Sequence, residues 1–166
     1  MNYYSVIFYL FNLTLAVSGT LVKRDLSGIY GGENIDLETM ACIVNSERGQ
    51  YGYPPLSINP RLVMASEDHS GDQYNYRNMD HYGSDGSTVT DRARHHGYGS
   101  STVAENVAYN QVSVEEVMDT WLRSPGHRAN IMNPSYTHFG AGKVGPYWTQ
   151  VFGRGDQSED YIPRCY

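Results

Sequence analysis

The chain has 166 residues, 40% of them apolar and 18% charged, with 12 Lys and Arg against 18 Asp and Glu. That balance excludes a disordered polyelectrolyte, and the length allows one domain of ordinary size. A net charge of −6 provides neither the basic footprint of a nucleic-acid binder nor the polybasic signal of a protein held on anionic lipid.

Val6 to Val17 is an apolar run broken only by Asn12 and Thr14, too short and too near the start for a comfortable membrane span. With the small residues Ala16 and Ser18 behind it, residues 1–18 read as a secretory signal peptide, although no Lys or Arg precedes the run. An uncleaved signal anchor is the alternative. Residues 19–34 then read as a propeptide or linker. Lys23-Arg24 within them is either a kexin-type processing site or two solvated charges. These readings predict a secreted protein with no integral membrane span. In an oxidising compartment Cys42 and Cys165 most simply form one bridge, tying a tail over 155–166 to the first helix. Two independent thiols are the alternative.

Asp36 caps a predicted helix to about Arg48, with Leu37, Met40, Ala41 and Val44 on one stripe and Gly49 as its stop. Residues 50–57 form a turn-rich link. Asn59-Pro60 opens a second helix to about Tyr76, with Leu62, Ala65, His69 and Gln73 along one side. A short helix over 90–96 ends at Gly97, and Val103 to Ala108 reads as a strand. Ser113 and Glu116 have capping-box spacing and open a helix that Pro125-Gly126 should stop. Two strands, 138–144 and 147–152, close the domain as a hairpin through Gly145-Pro146. Helices before and between strands, then a hairpin, predict an α+β layered domain.

Taken alone, the polar residues are not diagnostic: the chain has no HExxH, no phosphate loop, no paired-cysteine metal motif and no GxSxG. Glu105 stands between Val103 and Val107, either facing solvent or buried against donors, and the pattern alone favours solvent. His127, in Ser-Pro-Gly-His-Arg, reads by default as a loop residue bonding nearby carbonyls.

A larger set of segments changes those readings. Ala104-Glu105-Asn106-Val107-Ala108, then Trp121-Leu122-Arg123-Ser124-Pro125-Gly126-His127-Arg128-Ala129-Asn130-Ile131-Met132-Asn133-Pro134, then Gly140-Ala141-Gly142 and Tyr147 to Gly153, resemble the CAP superfamily in its short microbial form. This superfamily contains the cysteine-rich secretory, antigen five and pathogenesis-related class one proteins. The resemblance runs from about Ile35 and implies a CAP (SCP) domain over 35–154, built as a three-layer α-β-α sandwich. It also implies a cleft where His81, Glu105 and His127 converge, with His69 and Ser124 beside them. His81, His127 and Glu105 could hold zinc or another divalent metal with one position open to water, or form a metal-free hydrogen-bonded network. The second acidic residue of the longer branch has no counterpart, since Arg123-Ser124 stand in its region.

Relatives of this kind suggest a non-enzymatic binding module for a sterol, a small lipid or an extracellular partner. A metal-dependent hydrolase and a structural wall or matrix protein are the alternatives.

Overall fold

A computed structural model describes residues 35–100, 102–155 and 160–165. The signal-peptide and propeptide readings therefore lie outside the described residues. Helix α1 (Leu37–Gly49) leads to strand β1 (Ser57–Ile58), helix α2 (Pro60–Tyr76) and helix α3 (Val89–His95). Strand β2 (Val103–Tyr109), helices α4 (Val114–Arg123) and α5 (Pro125–Ile131), and strands β3 (His138–Val144) and β4 (Tyr147–Gly153) follow. The sheet order is β1-β3-β4-β2, with β1 parallel to β3 and the other pairs antiparallel. This is an α+β fold, with α2 packed on β3 and β4 and with α1, α4 and α5 on the other side.

The expected caps form. The Asp36 carboxylate accepts from the Thr39 amide, and Asn59 accepts from Arg61 and Leu62 ahead of Pro60. Ser113 accepts from the Glu116 amide, but the Glu116 carboxylate reaches back to the Val112 amide at 2.8 Å rather than to Ser113. Two expectations need correction. The 50–57 link ends in the short strand β1, because Ser57 and Ile58 pair with His138 and Phe139. Pro125 does not merely stop α4. Having no N–H to lose at a first helical position, it starts α5, and His127 lies on that helix rather than in a loop.

Alternate residues of β3 face opposite sides of the sheet. Phe139 and Ala141 join Met40, Val44, Met118, Trp121, Trp148 and Phe152 in the main core. Gly140 and Gly142 face α2, where a Cβ would meet the α2 backbone at 2.3 Å and 2.5 Å. Only glycine lets the helix lie this close to the strand, and the approach carries His69 to the sheet.

Both outer strands have their edges covered. On β2, the Trp121 indole donates to the Val107 carbonyl at 3.1 Å and the Asn130 amide to the Glu105 carbonyl at 3.1 Å. On β1, Ile58 and Tyr161 exchange backbone hydrogen bonds of 2.8 and 3.1 Å. The Cys42–Cys165 disulfide, with Cα atoms 5.4 Å apart, fastens this tail to α1 as expected.

Candidate functional site

Glu105 lies on the β2 face that looks toward α2 and α3, paired with Val151 on β4. Its side chain is 2% exposed, which corrects the solvent-facing reading. Burying a carboxylate demands donors, and α3 and the loop after α2 supply them, with a third element close by. The Arg92 guanidinium, from α3, sits 2.7 Å from Oε2. His81 Nδ1, from the loop after α2, sits 3.0 Å from Oε1, and His69 Nε2, from α2, lies 3.7 Å from the same oxygen.

Arg92 also fixes the loop that carries His81. Its Nη1 donates to the Ser87 carbonyl at 2.8 Å, and its Nη2 donates to the His81 carbonyl at 3.1 Å. The loop is pinned again where the Asp72 carboxylate accepts from the Ser84 amide and hydroxyl. Thr88 and Asp91 form a reciprocal capping box at the start of α3, so the helix that presents Arg92 begins at a defined residue.

The imidazoles have different environments. The His81 side chain is 58% exposed, and its hydrogen bond to Glu105 raises its pKa. His69 is fully buried and its pKa is lowered, chiefly by burial. It donates from Nε2 to the Asp80 carbonyl at 2.8 Å, while its Nδ1 has no partner among the described residues. His127 is half-buried, and burial followed by the nearby charge of His81 lowers its pKa. The Asn106 amide donates to the His127 carbonyl at 3.2 Å, and Asn130 bonds both Asn106 and the Glu105 carbonyl. These contacts dock α5 on β2 and bring His127 beside the site, although its Nδ1 has no partner among the described residues. Ser124 is half-buried at the α4–α5 junction and its side chain makes no capping bond.

The structure thus joins His81 and Glu105 directly, with His69 and His127 alongside. Sequence reasoning missed Arg92, Asn106 and Asn130. The signal for Arg92 was the carboxylate itself, because a buried Glu requires a cation and Arg92 lies next to the fully buried Ala93. Asn106, within an apolar strand, was the corresponding signal for the α5 anchor.

As ligands for zinc these side chains do not fit. One carboxylate oxygen is held by a guanidinium, and Nε2 of His69 is engaged by a carbonyl. Among the described residues, no three His, Cys, Asp or Glu side chains are placed to hold a metal ion. What the geometry forms is the hydrogen-bonded network, open to solvent through His81. Arg92 also lines a cavity of about 390 Å³ whose walls include Asp68, Asp72, Asp85 and Asp91.

Residues 43–152 match the cysteine-rich secretory protein (CAP) family. The chain is 37% identical over 112 residues to YkwD of Bacillus subtilis (strain 168), covering 66% of this chain and 44% of that protein. It is 29% identical over 110 residues to the membrane protein YlbC of the same strain, covering 66% and 32%. The chain therefore spans less than half the length of these curated relatives. Its fold is similar to that of an extracellular SCP-domain protein from Bacillus anthracis str. Ames, with TM-score 0.70, 25% identity, and coverage of 83% of this chain and 45% of the other. It is also similar to an outer surface protein of Borrelia burgdorferi, with TM-score 0.65, 19% identity, and coverage of 75% and 99%.

Proposed function

Because this chain belongs to the CAP family, we propose that it is a secreted, non-enzymatic binding module whose cleft at His81, His127 and Glu105 takes a polar partner. The observation that carries this reading is the state of Glu105. Its Oε2 is held by Arg92 at 2.7 Å and its Oε1 by His81 at 3.0 Å, so it is not free to accept a proton from a substrate. His127 has no group on Nδ1 to orient it as a general base among the described residues, which disfavours the hydrolase alternative.

A sterol or small lipid would need an apolar groove. Two cavities beside α2, neither lined by His81, Glu105 or His127, carry carboxylates, hydroxyls, Arg92, His95, His96 and Asn75 as well as Tyr74 and Val144. An extracellular protein or another polar partner fits these walls better. Secretion is supported by the signal-like residues 1–18 and by structural neighbours described as extracellular or outer-surface proteins.

A peptide library incubated with the purified protein, with and without chelator, should remain intact. Cleavage that His127→Ala removes would overturn the non-enzymatic reading. Saturable binding of a radiolabelled sterol in a competition assay would overturn the polar-partner reading.

A further inference from the structure

We propose that Arg92 is a resident cation that determines the ionic specificity of this cleft: by holding Oε2 of Glu105 it takes the carboxylate that the neighbouring imidazoles would otherwise share with a divalent metal. Two imidazole nitrogens stand near one oxygen of that carboxylate. His81 Nδ1 and His69 Nε2 lie 3.0 and 3.7 Å from the same Oε1. The residue types suit zinc, and what opposes it is that the donors are already engaged: Glu105 Oε2 by Arg92 and His69 Nε2 by the Asp80 carbonyl.

Arg92 is built into this position. Its side chain is 9% exposed, so water screens its charge little. Its guanidinium is held to Glu105 at 2.7 Å, to the Ser87 carbonyl at 2.8 Å and to the His81 carbonyl at 3.1 Å. A planar, permanently charged fork satisfies the carboxylate and the loop together, and it cannot leave by losing a proton. A zinc ion entering here would face that fixed cation and find Glu105 already neutralised. The same fork ties the His81 loop to α3, so the site is preorganised without metal.

This inference concerns only which cation the cleft accepts, and it stands or falls separately from the polar-partner reading. The test is calorimetric titration of zinc chloride into stripped, untagged protein near neutral pH. Wild type should give heats equal to buffer. Arg92→Gln, with its fold checked by near-UV circular dichroism, should show saturable zinc binding where wild type shows none, and His81→Ala in that background should abolish it. Arg92→Lys keeps a charge and should keep zinc out. Arg92→Met, which preserves the packing of the aliphatic stem, replaces Arg92→Gln should the amide variant not fold. Zinc binding by wild type that His81→Ala removes would overturn the proposal whatever the variants do. A folded Arg92→Gln that ignores zinc, or an Arg92→Lys that binds it equally well, would also overturn it.

Discussion

Two buried arginines divide the work of this molecule. Arg48, on α1, is fully buried and donates to the carbonyls of Pro54, Ile131, Asn133 and Tyr136 at 2.8–3.4 Å. Among the described residues no carboxylate pairs with it, and burial lowers its pKa. Arg92, nearly as buried, faces Glu105 and, through it, His81 and His69. Arg48 ties the end of α5 and the turns beyond it to α1 by spreading its charge over carbonyl dipoles, none of which titrates near neutral pH. Arg92 is connected to groups that do titrate. The same side chain is a fixed staple in one place and part of a responsive polar site in the other, and the difference lies in its partners rather than its burial.

The sharpest way to break this comparison is Arg48→Ala. It strands several buried carbonyls at once and should lower the unfolding free energy by about 3–5 kcal/mol, read from urea denaturation. A loss below about 1 kcal/mol would mean that the carbonyls are satisfied without it. Glu105→Gln should cost less, about 2–3 kcal/mol, because Arg92 loses its counter-charge but keeps an amide oxygen to bond.

The same variant should change the pH dependence, which Arg48→Ala should not. His81 has its folded pKa raised by Glu105, so its stabilisation is fully present below the ordinary imidazole value of about 6.5 and is lost as pH rises through the folded value. In Glu105→Gln, NMR titration should show the His81 pKa falling back, and this acid-side stabilisation should disappear. His69, held neutral by burial, acts in the opposite direction and removes stability as pH falls below about 6.5.

Glu67 offers the smallest test and a third case, a carboxylate with no cation. Its Oε2 has no partner among the described residues, and burial, helped by Asp68, pushes its pKa up to about 7. A raised carboxyl pKa means that stability declines as pH climbs from its ordinary value toward 7. Glu67→Gln should therefore match wild type at pH 4 and exceed it at pH 8, by about 1 kcal/mol after allowance for solvent screening at this half-buried site. Thermal unfolding at the two pH values checks this, and equal stability at pH 8 would place the carboxylate in water.

Most of the helices and strands were legible in the sequence because their signals are local. Asp36, Asn59 and Ser113 bond amides two or three residues away, and the stripes on α1 and α2 follow from helical periodicity. The candidate site was only half legible. Resemblance pointed to His81, Glu105 and His127, but the pattern around Glu105 suited an outward side chain equally well, and Pro125-Gly126 read as a stop rather than a start.

Local sequence determined where helices begin, which residues could be buried and that two cysteines were available to pair. Tertiary structure alone decided that Glu105 turns inward, because its burial depends on Arg92 and His81 arriving from separate elements to bond it. A hydrogen-bond cap is settled within one turn of chain, whereas the state of a buried charge is settled by whatever the rest of the fold places against it.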